Sequence, residues 1–504
     1  AMGRYRDYRG VFRPVGAVII GLGLTMIVCA LAGWLFDLAA GQPLGRPSGL
    51  FGARTGGEWA LGLSAACALG VGALSFSFGR RHFSALTTRR EAVLAVGLIW
   101  FSAAAIGAVP FVLGADMGVV DGFFEAVSGL TTTGATVIAD IETRMSRSLL
   151  LWRSVLQWLG GMGIVVLFVA VFPNIGAGGK HMFGEEVPGT AAEGLRPRIA
   201  ETSRVLWQFY VVFTAVEVGV LGLLGMPWFD ALCHALTTMS TGGFSTKDAS
   251  IGAFDKPALE FVVAFFMLAA SVNYGLYYGA LKGRSLKPIF RSVEFRAFVG
   301  ITVLSVVGVT LGIWRLHGDL FEAFRRGTFT VATFVSSTGY VTDDYMAYPP
   351  GPLWIVLTLM FVGGCAGSTA GGIKIERLIL MAKVTWTELR RSFRPALVHV
   401  VRLGKKVVQA SDLTDVSVFF VIYMGSLAVV SGSVAWLEGV PMPTAFGAGL
   451  TCLSNMGPAP FHADADHFAA YGGAAKAICA LGMLLGRLEF FALLALTVPE
   501  FWRR

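Results

Sequence analysis

Charge is scarce in this chain: aspartate, glutamate, lysine and arginine occupy 14% of 504 positions, where a soluble domain carries about 25%. That shortage excludes an ordinary soluble globular protein. Cysteine is also sparse. Cys29, Cys67, Cys233, Cys365, Cys452 and Cys479 are scattered through apolar segments without a pair at metal-ligand spacing, so a cysteine metal centre is excluded and all six are expected as small core residues. The seven histidines fall mostly at predicted span ends or in loops. His234 lies in a predicted short helix, but no triad joins it, which argues against an intramembrane hydrolase. A phosphate-binding loop is missing too: in GSTAGGIK, Ile373 separates Gly372 from Lys374 and no hydroxyl residue follows the lysine, so a Walker motif is excluded. No cleavable signal peptide is expected ahead of the first apolar run, which is too long and lacks a small-residue processing site.

What remains is largely apolar. Hydrophobic residues make up 55% of the chain and the mean hydropathy is +0.67. Many runs reach the roughly 20 residues that cross a hydrocarbon core of about 30 Å: Val15 to Phe36, Trp59 to Phe78, Ala92 to Leu113, Leu206 to Leu224, Phe261 to Leu281 and Val416 to Leu437. Basic residues fix an orientation. Arg4, Arg6, Arg9 and Arg13 precede the first run, and Arg80, Arg81, Arg89 and Arg90 follow the second, which places both ends of that pair in the cytoplasm. Lys180 to Arg204, Lys282 to Arg296, Lys374 to Lys406 and the terminal Arg503 and Arg504 follow the same rule, so the N- and C-termini are expected inside. The opposite loops are acidic, with Asp116, Asp121, Asp140, Glu142, Asp230, Asp248, Asp319, Asp343, Asp344, Asp464 and Asp466, and an acidic mouth concentrates cations. The net charge of +8 is thus a topology signal, and no nucleic acid is expected as a partner.

Four short polar segments recur about every hundred residues: Thr132-Thr133-Gly134, Ser240-Thr241-Gly242, Ser337-Thr338-Gly339 and Asn455-Met456-Gly457. Each follows a short amphipathic stretch between apolar runs, so each belongs to one repeated unit of helix, re-entrant half-helix, loop and helix. The half-helices are expected over Asp121 to Thr131, Phe229 to Met239, Leu320 to Ser336 and Pro443 to Ser454. The returning helices are Ser148 to Phe172, Pro257 to Leu281, Leu353 onward and Ala474 to Val498. Non-helical backbone survives in a bilayer only where it is buried or lines a water-filled path. Half-helices entering from outside aim their carboxyl ends, with about half a negative charge each, at mid-membrane. That suits a cation, and carbonyl oxygens from an extended glycine-bearing loop replace its hydration shell. A secondary transporter for another solute is the rival class, although its broken helices usually present amino termini to the substrate.

Two further features bear on gating. The tract from Gly363 to Gly372, with Gly364, Gly367, Ser368, Thr369 and Gly371 between, interrupts the third returning helix. Glycine costs about 1 kcal/mol relative to alanine in a helix, so this segment is expected to break and to lie across the path below the loops. Arg487 is expected deep in the final span, where a charge costs about 2.5 to 3.5 kcal/mol unless paired or facing a cavity. It is read as a barrier in the ion path, with Glu489 placed too close in sequence to pair with it along one helix face.

The stretches SGLTTTGATV, TTMSTGGFST, FVSSTGYVTDDY and LSNMGPAPF, with GGCAGSTAGGIK and LLGRLEFF, resemble the bacterial Trk and Ktr potassium-uptake proteins and their plant HKT and fungal relatives. The two extra runs at the start fit the TrkH branch. The resemblance implies an all-α multi-pass membrane protein, with four helix, re-entrant half-helix, helix repeats in a pseudo-fourfold array around one pore, plus two N-terminal transmembrane helices. It divides the chain into a two-helix extension (1–90) and repeats over 91–180, 181–285, 286–410 and 411–504. It implies that the twelve residues of the four segments are a selectivity filter binding potassium, with Gly134, Gly242, Gly339 and Gly457 as filter glycines. Glycine at Gly134 marks potassium-selective members, whereas Met456 and Pro458 depart from the pattern. The glycine-rich tract and Arg487 match the family's intramembrane gate. Also implied are a homodimer in the bacterial inner membrane, among membrane lipid, and a cytosolic TrkA-like nucleotide-binding ring docked on the basic segment from Lys374 to Lys406. NAD or ATP/ADP is then expected on that partner, with no organic cofactor in this chain. The expected function is potassium uptake; a sodium-coupled or sodium-permeable relative is the alternative.

Overall fold

The computed structural model describes residues 8–39, 57–80, 89–170, 195–394, 401–404, 406–461 and 467–502. Arg4, Arg6, Arg81, Lys180, Lys405, Asp464, Asp466, Arg503 and Arg504 lie outside them. Among the described residues the regular structure is helical apart from one small hairpin, β1 (Arg402–Leu403) with β2 (Lys406–Val407). Among the described residues six helices are long and apolar enough to cross a membrane, and two further pairs pass the same test but are sharply bent. This is a multi-pass membrane protein.

The first two helices, α1 (Phe12–Ala39) and α2 (Gly57–Arg80), form a tight pair. Small residues let their backbones touch: a Cβ at Gly16 would lie 2.4 Å from the Phe76 nitrogen, and one at Gly79 would lie 2.2 Å from the Arg13 nitrogen. Cys67, expected in the core, instead faces outward from α2, while the other five cysteines are buried. Its position falls on the face of α2 turned away from α1, among the exposed Leu63, Val71 and Leu74.

Four three-element units follow. They are α3 (Arg89–Gly114), α4 (Val119–Leu130) and α5 (Arg147–Ala170); α6 (Leu195–Leu223), α7 (Trp228–Met239) and α8 (Pro257–Ala270) with α9 (Tyr274–Lys282); α10 (Val293–His317), α11 (Leu320–Val335) and α12 (Pro350–Leu359); and, after α13 (Ile375–Phe393), α14 (Ala410–Glu438), α15 (Met442–Ser454) and α16 (Gly473–Arg487) with α17 (Phe491–Thr497). The second helix of each unit has 12, 12, 16 and 13 residues. At about 1.5 Å per residue these are too short to cross a bilayer. The units interlock: α5 packs on α7, α8 on α11, and α16 on α4. Phe361, just past α12, meets Phe446 of α15 with ring centroids 6.4 Å apart, linking the third unit to the fourth.

Two expected spans are broken. The run from Pro257 to Leu281 bends by 86° between α8 and α9, and the run from Ala474 to Val498 bends by 118° between α16 and α17. Arg487 is therefore the last residue of a helix, not the middle of one. In the first break Asn273 caps α9, its Oδ1 accepting from the Gly275 N–H at 2.7 Å, which stabilises a new helix start. In the second, Glu489 and Phe490 both adopt left-handed backbone (φ 53 and 63), which no continuous helix contains.

Candidate ion-conducting site

The four short helices end in the same way. After α4, the N–H of Thr132 returns to the Gly129 carbonyl (3.0 Å) and that of Thr133 to Ser128 (2.9 Å). After α7 the pairs are Thr241 to Thr238 and Gly242 to Thr237; after α11, Ser337 to Phe334 and Thr338 to Thr333; after α15, Asn455 to Cys452 and Met456 to Thr451. This is the Schellman closure, which needs one left-handed residue. Thr132, Thr241, Ser337 and Asn455 supply it, with φ of 52, 54, 56 and 51. None of the four is glycine, so each turn holds a conformation that L residues enter at a cost of about 1 to 2 kcal/mol.

This geometry sets a register. Two residues beyond the left-handed position stand Gly134, Gly243, Gly339 and Gly457, the first three with φ of 83, 77 and 87. In the second segment Gly243 is thus the counterpart of Gly134 and Gly339, one residue later than the Gly242 expected from sequence. Gly242 shares the place of Thr133, Thr338 and Met456, and its carbonyl accepts from Gln157 Nε2 at 2.7 Å.

The four turns meet in a closed ring. A Cβ placed at Gly134 would come 2.1 Å from the Gly242 carbonyl oxygen; at Gly243, 1.9 Å from that of Thr338; at Gly339, 2.8 Å from the Gly457 nitrogen; and at Gly457, 3.0 Å from the Gly134 carbonyl oxygen. Only residues without a side chain allow four backbones to approach so closely. Four helix carboxyl ends converge at this ring, and their carbonyls favour a cation. The Thr132 hydroxyl and Asn455 Oδ1 are buried there without hydrogen-bond partners. The Thr133 hydroxyl pairs with Thr131 (2.7 Å) and accepts from Asn455 Nδ2 (3.1 Å). Ser240 bonds back into its helix at the Leu236 carbonyl.

Polar pins behind the ring hold the loops. The buried Arg153 pairs with Glu125 of α4 at 2.6 Å, donates to the Ser245 carbonyl at 3.0 Å and lies 3.6 Å from the Phe244 ring centroid. Glu125 also receives the Thr136 hydroxyl and the Val137 N–H. The Tyr340 hydroxyl reaches across to Thr237 (2.6 Å) and the His234 carbonyl (3.1 Å). His234 is bound between the Asp230 carbonyl and the Ser245 hydroxyl, which pins the second turn to its helix. Asp230, expected as a loop acid, is buried in α7 and receives the Thr246 hydroxyl at 2.7 Å.

Above the ring opens a vestibule of about 1240 Å³, whose walls include Gly134, Gly243, Gly339 and Gly457 together with Asp248, Asp343 and Asp344. Beneath it lies the glycine-rich tract. The chain leaves α12, turns, and returns through a bridge between Val362 and Ile373. The Gly371 N–H donates to the Ser337 hydroxyl at 2.5 Å, and the Thr369 hydroxyl donates to the carbonyls of Met239 (3.1 Å) and Ala270 (3.2 Å). A Cβ at Gly371 would lie 2.3 Å from the Ser454 carbonyl oxygen. The tract thus touches the feet of three of the four short helices. It also explains the first broken span, because Ser271, freed by the break, accepts the Cys365 N–H at 2.8 Å. Gly363, Gly364, Gly367, Ser368 and Gly372 complete this loop, with Gly367 and Gly372 left-handed at φ 72 and 68. Arg487 Nη1 donates to the Thr369 carbonyl at 2.8 Å and Nη2 to that of Gly160 at 3.4 Å. The space among Gly371, Asn455 and Arg487 is about 10 Å³, roughly one water.

A family model described as TrkH, cation transport protein, matches residues 78–503. The chain belongs to the TrkH family. The Trk system potassium uptake protein TrkH of Salmonella typhimurium is 36% identical to it over 98% of this chain and 99% of that protein. The protein of that name from Halomonas elongata is 34% identical over 98% and 99%. The crystal structure of the potassium transporter TrkH from Vibrio parahaemolyticus matches with a TM-score of 0.86 at 32% identity, covering 99% of this chain and all of that one. The TrkH family is a family of transport proteins and not of enzymes.

Sequence reasoning passed over Gly243, Gln157, the Glu125–Arg153 pair and the contact of Arg377 with Glu489. The Gly242-Gly243 doublet was the available signal for the first. Arg377, assigned to a docking surface, turns inward to Glu489, and Lys374 is buried against the Ala370 carbonyl.

Proposed function

We propose that this TrkH-family chain takes up potassium across the bacterial inner membrane, down its electrochemical gradient, through one path enclosed by the four turns. The observation that carries the reading is the ring formed by Gly134, Gly243, Gly339 and Gly457 at the meeting point of four helix carboxyl ends. Cations gather in the vestibule near Asp248, Asp343 and Asp344, shed water against the carbonyls of the four segments 132–134, 240–243, 337–339 and 455–457, and pass downward when the tract from Gly363 to Gly372 withdraws. Arg487 adds a positive barrier at the same level. Four convergent carboxyl ends favour a cation over the organic or anionic solute of the rival class.

The finer parts of the proposal follow the resemblance. Both termini face the cytoplasm, the chain pairs with a second copy, and a TrkA-like ring carrying NAD or ATP/ADP docks on the exposed basic residues Arg390 and Arg391 of α13. The deciding experiment measures potassium, rubidium and sodium flux into proteoliposomes of the full chain, unaltered and as Gly134→Ser. Potassium and rubidium passing faster than sodium, with that preference weakened by the substitution, supports the proposal. Equal passage of all three, or uptake of an organic solute alone, contradicts it.

A further inference from the structure

The break between α16 and α17 carries two successive left-handed residues, Glu489 and Phe490, neither of them glycine. Such backbone persists only where the surroundings over-determine it, and here the surroundings are specific. The Glu489 carboxylate receives Nη2 of Arg377, with both side chains largely buried. Phe490 is wedged edge-on against Phe419 and Tyr423 of α14, with ring centroids 5.5 and 5.7 Å away. The Arg377 guanidinium also lies 4.1 Å from the Phe419 ring centroid.

These contacts tie together parts that lie far apart in sequence. Arg377 stands in the first turn of α13, where the glycine-rich tract leaves the site, and Arg487, two residues before Glu489, holds the tip of that tract at Thr369. The one break therefore grips the tract at its tip and its exit. Tyr423 continues the contact upward, its hydroxyl 2.9 Å from that of Ser454 at the foot of the fourth turn. Glu489 Oε1 and Arg377 Nη1 are buried without hydrogen-bond partners, so parting the two residues in place would break a largely buried, charge-assisted contact with no ready replacement for its hydrogen bond.

We infer that Glu489 is a positioning residue that keeps the glycine-rich tract closed through Arg377, so that tract, α13 and the broken final span move as one body. It touches no ion. The inference rests on the reading of the tract as a gate.

The test is cation flux through the full chain in proteoliposomes, alongside thermal unfolding in detergent, for Glu489→Gln, Arg377→Gln and the charge swap Arg377→Glu with Glu489→Arg. Glu489→Gln is expected to raise potassium flux several-fold with the potassium-to-sodium ratio unchanged, and the swap to return flux toward that of the unaltered chain. A purely structural pair would lower stability and flux together. Flux unchanged or reduced in both single variants, with potassium selectivity intact, overturns the inference and leaves the proposed function standing. Sodium passing as fast as potassium through every variant, with Glu489→Gln still raising flux and the swap restoring it, contradicts the filter reading and supports the latch.

Discussion

Arg487 donates to the Thr369 carbonyl at 2.8 Å, joining a cationic side chain at the end of α16 to the tip of the tract that lies beneath the glycine ring. On the proposed gating role, the arginine closes the path in two ways, by its charge and by fixing the tract. Arg487→Ala removes a charge-assisted hydrogen bond of about 1.5 to 3 kcal/mol. The expected outcome is potassium flux raised by about tenfold or more, measured in proteoliposomes, in a variant that still elutes as a single species.

Ser337 offers a gentler version of the same test. Its hydroxyl accepts the Gly371 N–H, a bond worth about 1 kcal/mol between neutral groups. Ser337→Ala is expected to raise basal flux by several-fold at most, less than Arg487→Ala, in the same assay.

Gly242 and Gly243 are distinguished by their backbones. Gly243 is left-handed and a Cβ there would meet the Thr338 carbonyl oxygen at 1.9 Å, whereas at Gly242 it would meet the side chain of Gln157. Gly243→Ala is expected to lose cation flux, and Gly242→Ala to retain more of it because a side chain yields where a carbonyl in the ring cannot. Parallel flux measurements on the two variants decide whether the register is right.

The buried Glu125–Arg153 pair is predicted to be costly to break and cheap to replace. Glu125→Gln leaves Arg153 buried without its counter-charge, at a cost of about 3 to 5 kcal/mol. The thermal midpoint in detergent should fall markedly for Glu125→Gln or Arg153→Met, and less for the two together.

The sequence was most legible where chemistry is local. Hydroxyl residues followed by glycine marked three of the turns, Asn455-Met456-Gly457 at the matching point of the fourth repeat marked the last, and the dense glycines from Gly363 to Gly372 marked an interruption. The broken spans were not legible, because Ser271-Val272-Asn273 and Leu488-Glu489-Phe490 contain no glycine or proline and the apolar runs continue across them. Their causes are tertiary: the tract bonds to Ser271, and Arg377 with two aromatic rings fixes Glu489 and Phe490. In the second turn the adjacent Gly242 and Gly243 fit either register by composition. Only the Schellman bonds and the left-handed Thr241 separate them.

The most direct test of the account is the position of a heavy potassium substitute. Crystals of the full chain soaked in rubidium or thallium should show anomalous density on the axis enclosed by Gly134, Gly243, Gly339 and Gly457, and none after equilibration in sodium. Density confined to the vestibule near Asp248 and Asp343, with nothing inside the ring, would contradict a selective filter built from these four turns.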